Sequence, residues 1–114
     1  MPNCLFCKIS EGRAAANIVY EDEDVLAFRD ISPKAPVHLL IIPRGHLSTI
    51  NDLGVSDQET IGKLFLVAKT LAASEGIAET GYRVVMNCND HGGQSVYHIH
   101  LHLLGGRPMK WPPG

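Results

Sequence analysis

The chain has 114 residues, the length of one ordinary domain, and 45% of them are hydrophobic, enough for a real core. No run of about 18 apolar residues occurs, so no membrane span is expected, and Met1-Pro2-Asn3-Cys4 lacks the basic and apolar stretches of a signal peptide, which makes the cytoplasm the expected address. Ten Lys and Arg stand against twelve Asp and Glu, a net charge of −2 with no basic stripe, which argues against broad electrostatic binding to nucleic acid.

In chain order, Cys4-Leu-Phe-Cys7 comes first. With Cys88 it makes an odd count of three cysteines, which argues against a disulfide framework, so the pair reads as half of a metal site or as free thiols at a packed N-terminus. Ile18–Asp22 and Val25–Phe28 read as two strands joined by a tight connection. Ser32-Pro-Lys-Ala-Pro36 is a loop, because proline cannot donate to a ladder. Val37–Ile42 is a strongly apolar strand stopped by Pro43-Arg-Gly45. Ser56 and Glu59 have the spacing of a capping box. After them Ile61, Leu64, Phe65, Ala68, Leu71 and Ala72 keep one helical face apolar as far as a stop at Gly76. Tyr82–Asn87 is a further strand, and a polar, Gly-rich loop from Cys88 to Gln94 leads into the C-terminal segment. Strands, one main helix and more strands fit an α+β class, an antiparallel sheet of about five strands with the helix on one face, in a single domain spanning 1–114.

The chemistry concentrates in Ser95-Val-Tyr-His-Ile-His-Leu-His-Leu-Leu-Gly105. On a strand, Ile99, Leu101 and Leu103 face a core, while His98, His100 and His102 form a row on the other face at intervals of about 6.5 Å. Solvated faces usually carry Lys, Glu and Thr, so the row points to proton, phosphorus or metal chemistry. His-x-His can give two ligands to zinc, but the third imidazole of a straight strand lies too far from the same ion. A neutral imidazole whose other nitrogen is held by an acceptor can attack phosphorus, and His100 has a helper on each side. Gly92-Gly-Gln-Ser95 offers backbone N–H groups and a hydroxyl for phosphate, and Asn87 an amide. His38, in the apolar strand, is either a satisfied core residue or a partner that sets a tautomer.

His98-Ile-His-Leu-His-Leu-Leu104 matches the His-x-His-x-His-x-x signature of the histidine triad superfamily. The tail Leu104–Gly114, ending Trp-Pro-Pro-Gly, together with Asp30–His38 and Gly92–His98, resembles the Hint branch, the purine nucleoside phosphoramidases. The likeness runs from about Phe6 to Gly114. It implies His100 as the nucleophile, His102 as the flanking histidine at phosphate and leaving group, and His98 and His38 as supports. It further implies Asn87, Gly93, Ser95 and Val96 around the phosphate, Asp30 on the ribose hydroxyls, and Phe6, Ile9, Phe28 and Ile31 around the purine. A homodimer with a continuous sheet is implied as well, the tail from about 105 to 114 contributing to dimer and site and Trp111 lying near the partner subunit's site. The implied activity is hydrolysis of adenosine or guanosine 5′-phosphoramidates through a nucleotidyl-histidine, with no cofactor for catalysis. Zinc-binding relatives complete a structural site with two further histidines, at positions that are His46 and His98 here; with Cys4 and Cys7 these make a tetrahedral set. The alternatives are a dinucleoside polyphosphate hydrolase of the same superfamily, a nucleotide-binding or scaffold protein with incidental activity, and a zinc-stabilised interaction module. His91 and Cys88 have no assigned role.

Overall fold

The computed structural model describes residues 3–114; Met1 and Pro2, which belong to the reading of the N-terminus, lie outside them. Five strands form one antiparallel sheet: β1 (Ile18–Glu21), β2 (Val25–Arg29), β3 (Val37–Pro43), β4 (Tyr82–Val85) and β5 (Leu101–Gly105), in the order β1-β2-β3-β5-β4. The main helix α2 (Gln58–Ser74) covers one face, and the short helix α1 (Leu5–Ser10) packs on the other.

Period-two alternation divides the side chains between the two layers. Val25 and Ala27 of β2, Leu39 and Ile41 of β3, and Leu101 and Leu103 of β5 pack against Leu64, Ala68, Leu71 and Ala72 of α2. The alternate residues Leu26, Phe28, Leu40 and Ile42 pack with Phe6 and Ile9 of α1. Each Val, Leu, Ile or Phe side chain so enclosed contributes roughly 1.5–3 kcal/mol of transfer free energy, and each alanine less. Pairing of β3 with β5 sets Leu40 opposite His102 and His38 opposite Leu104, so His38 and His102 are diagonal neighbours on the α1 face.

Several local expectations are revised. The predicted stripe on α2 is displaced: Phe65 is 49% exposed and Val67 is buried in its place. Phe65 lies at the margin of the arc that Leu64, Ala68 and Leu71 define. No Ser56–Glu59 capping box starts the helix; Asp57 precedes it, and its Oδ2 accepts from the Gly54 N–H at 2.8 Å. Termination agrees with the sequence. Gly76 has φ +76, and Ile77 N donates to Ala72 O at 3.0 Å while Gly76 N donates to Ala73 O, the Schellman pattern. Among the described residues, two α-helices are additions to the predicted elements. One is α1; the other is the single turn α3 (Asn89–Gly92), inside the stretch expected to be loop.

Candidate functional site

Only His102 of the triad lies in a ladder, because β5 begins at Leu101. The pairing of β3 and β5 stops at Ile41↔Leu101, and the residues before it bond elsewhere. Ile99 N donates to Leu47 O at 2.8 Å, and His98 Nε2 donates to Pro43 O at 2.7 Å. The expected straight row is therefore bent. Rings of His100 and His102 stand 4.9 Å apart in an edge-on pair, with planes at 61°, while the fully buried His98 ring turns toward the cysteines. The sequence expectation of a His98 ring supporting His100 is revised accordingly. Support comes from the His98 backbone carbonyl, which accepts from His100 Nδ1 at 2.8 Å.

That bond sets a tautomer. With its proton on Nδ1, a neutral His100 keeps a lone pair on Nε2. Burial lowers the His100 pKa and favours this neutral form. Phe6 meets the imidazole edge-on, with centroids 5.1 Å apart and planes at 90°, and so limits its rotation.

The same reasoning orders a second chain of imidazoles. Lys34 N donates to His38 Nδ1 at 3.0 Å, so a neutral His38 carries its proton on Nε2. That proton faces His102 Nδ1 at 2.9 Å and Asp30 Oδ2 at 3.4 Å. Accepting at Nδ1 leaves His102 with an Nε2–H to donate. Burial, then the nearby His100 and His38, holds the His102 pKa down to about 4, and burial lowers that of His38 as well. Asp30, His38 and His102 are close enough to suggest three ligands of one ion. Ligation through His38 Nε2 would need its proton on Nδ1, where the Lys34 N–H already points. A relay of hydrogen bonds accounts for this group and a metal does not.

His100 and His102 open onto a cleft of about 350 Å³ lined also by Phe6, Ile9, Phe28, Asp30, Ile31, Ser95 and Val96. Nine of the sequence-assigned residues thus meet at one concavity. Leu5, Ala15, Ala16, Arg29 and Leu40 line it too, and the sequence reading gave them no part. The two-residue spacing from His38, which puts Leu40 on the same strand face, was the available signal for Leu40. Ile31 is 98% exposed and stands at the rim. Asp30 Oδ1 accepts from Ser32 N at 2.8 Å, which holds the carboxylate at the mouth of its loop. Asn87, Gly93 and Trp111 do not line this cleft; Gly93, at φ +80, turns the chain from α3 into the Ser95–Val96 rim, and Trp111 is exposed on the tail. Among the described residues, no backbone carbonyl accepts from Ser95 N or Val96 N.

Behind His100 lies a second cluster. Sγ of Cys4 and Cys7 stand 3.5 and 3.6 Å from His98 Nδ1, and Cys7 Sγ is 3.3 Å from His46 Nδ1. All four ligand atoms lie within 4.8 Å of one another. A zinc tetrahedron with metal–sulfur and metal–nitrogen lengths of about 2.3 and 2.1 Å has S···N edges of about 3.6 Å. Both tautomers fit. His98 donates from Nε2 to Pro43 O and His46 Nε2 faces Ser48 Oγ at 3.1 Å, leaving each Nδ1 lone pair for a cation. Burial pushes the Cys7 thiol up, and a bound cation would reverse that shift.

Residues 11–109 match the family model described as HIT domain. The chain belongs to the HIT domain family. Within it, the chain is similar to a purine nucleoside phosphoramidase of Escherichia coli (strain K12), with 53% identity over 105 residues that cover 92% of this chain and 88% of that one. Its fold is similar to that of a HIT family hydrolase from Legionella pneumophila, with a TM-score of 0.97, 60% identity, and coverage of 98% and 100%. A Zn-bound histidine triad family protein from Mycobacterium smegmatis is also similar, with a TM-score of 0.82, 33% identity, and coverage of 93% and 76%. No helix of the described HIT chain is long and apolar enough to cross a membrane.

Proposed function

We propose that this HIT protein hydrolyses the P–N bond of purine nucleoside 5′-phosphoramidates through a nucleotidyl intermediate on His100. The observation that carries the reading is the bond from His100 Nδ1 to His98 O at 2.8 Å, which leaves the Nε2 lone pair of a neutral imidazole for attack. The name of the Escherichia coli relative supports the substrate class. His100 Nε2 forms a bond to phosphorus as the P–N bond breaks. The departing nitrogen takes the proton of His102 Nε2, whose other nitrogen is held by His38. Water then attacks phosphorus and gives its proton to His102 Nε2, the P–His100 bond breaks, and a nucleoside monophosphate leaves. Dividing one displacement into two lowers each barrier. Donors on the rim, the Ser95 hydroxyl and backbone N–H groups, stabilise charge on the equatorial oxygens.

The purine lies against Phe6, Ile9, Phe28 and Ile31, and Asp30 accepts from the ribose hydroxyls. Cys4, Cys7, His46 and His98 hold a structural zinc, supported by the ligand spacing and by the Zn-bound relative. Zinc there would order α1 and take no part in the reaction. A homodimer formed along the open edge of β4 would bring Trp111 toward a partner's cleft, and three free thiols suit a reducing cytoplasm.

The test is turnover of an adenosine 5′-phosphoramidate, set beside a diadenosine polyphosphate, with mass spectrometry of the quenched enzyme. We expect a preference for the phosphoramidate and an adduct on His100. His100→Asn is expected to fold normally and lose at least about 1,000-fold in turnover. Undiminished turnover in that variant would defeat the assignment.

A further inference from the structure

Gln94 does not line the cleft, yet it holds the rim in place. Its side chain is buried, with 7% of the residue exposed. Nε2 donates to Ser48 O at 2.7 Å and to Val96 O at 3.1 Å, and Oε1 accepts from Asn89 N at 2.9 Å. Two carbonyls and one N–H fix which end of the carboxamide is which. One side chain therefore joins three segments: the start of α3, the loop that carries His46, and the rim itself. Gln94 N also donates to Asn89 O at 3.0 Å. Ser95 thus lies between two anchored peptide groups, the one at Gln94 N and the one at Val96 O.

We infer that Gln94 is a positioning residue for phosphoryl chemistry, setting where Ser95 and the Val96 N–H stand relative to His100. The inference rests on the proposed reaction. Charge gathers on the equatorial oxygens as His100 attacks, and a donor helps only if it is already aimed at them. A displacement of about 1 Å in such a group can cost about 100-fold in rate. The Gln94 carboxamide is bonded to Ser48, Val96 and Asn89 outside the cleft lining, so its removal acts through the rim. A side chain that merely fills space would lower the melting temperature and leave the chemistry of the folded fraction intact.

The experiment compares wild type, Gln94→Leu and Gln94→Glu well below their melting temperatures. Substrates are an adenosine 5′-phosphoramidate and the two phosphorus diastereomers of its phosphorothioate analogue, in which sulfur replaces one equatorial oxygen or the other. The wild type should prefer one diastereomer. Gln94→Leu should lose about 100-fold in kcat with KM changed by less than about threefold, and the diastereomer preference should collapse toward unity. If the Leu variant does not fold, Gln94→Glu keeps the shape and one acceptor while replacing the paired donors, and is read in the same way. A folded variant with kcat and diastereomer ratio within about twofold of wild type overturns the inference. So does a wild type without diastereomer preference. A wild type that cleaves no phosphoramidate instead refutes the proposed function, and is distinguished by its own control.

Discussion

Acidification should destabilise this protein through His102, and the size of the effect follows from the ring's surroundings. Burial and two neighbouring imidazoles lower its pKa from 6.5 to about 4. Between those values the unfolded chain binds a proton that the folded chain refuses, so stability falls as pH falls. At about 1.36 kcal/mol per pH unit, this group costs nothing above pH 7.5, about 2 kcal/mol at pH 5 and about 3 kcal/mol at pH 4. That is a large share of the roughly 5–15 kcal/mol that holds a domain together. Urea unfolding followed by circular dichroism at pH 7, 6, 5 and 4 would measure it, comparing wild type with His102→Asn. Other titrating groups, such as Asp22, whose carboxyl is held far below its ordinary value chiefly by the Tyr20 hydroxyl, act in both proteins and cancel in the difference. His38 and His100 titrate together with His102, so the difference belongs to the interacting trio. The stability gap between the two proteins should shift by about 2–3 kcal/mol in favour of the variant between pH 7 and pH 4. A gap constant within about 0.5 kcal/mol over that range would show that His102 is not held neutral by its site, and the assignment of its Nδ1 as acceptor from His38 would fall with it.

Asp30→Ala should weaken AMP binding by about 10- to 100-fold by calorimetry, the worth of a hydrogen bond to a charged acceptor, and leave 2′,3′-dideoxy-AMP nearly unchanged. Equal losses for both ligands would remove Asp30 from the ribose. Cys7→Ser should reduce zinc from about one per chain to near zero by elemental analysis of protein purified without chelator, and lower the melting temperature. A wild type that carries no zinc under those conditions contradicts the tetrahedral set. Phe6→Ala should cost about 3–5 kcal/mol of stability in urea unfolding, because the ring is 4% exposed and packs against Phe28 and His100. The same change should weaken AMP binding, and retained affinity would exclude Phe6 from the purine wall.

Alternation along the strands was legible in the residues themselves. Leu101 and Leu103 against His102 declare two faces because a strand has only two, whereas Leu39-Leu40-Ile41-Ile42 is apolar throughout and its division between the layers came from the fold. The Gly76 stop was legible for a similar reason, since few residues other than glycine accept φ +76. Resemblance to the histidine triad family added the roles that no periodicity carries. Three things waited on tertiary structure. Six residues, Leu5–Ser10, are too short to announce a helix, and α1 exists through contacts of Phe6, Cys7 and Ile9 with partners far along the chain. The bend that parts His98 from His100 arises where β5 leaves β3, at bonds to Leu47 and Pro43 that no local pattern encodes. Tautomers were hidden as well. Which nitrogen of His38, His98 or His100 holds the proton depends on the group opposite it, and chain folding brings that group into place.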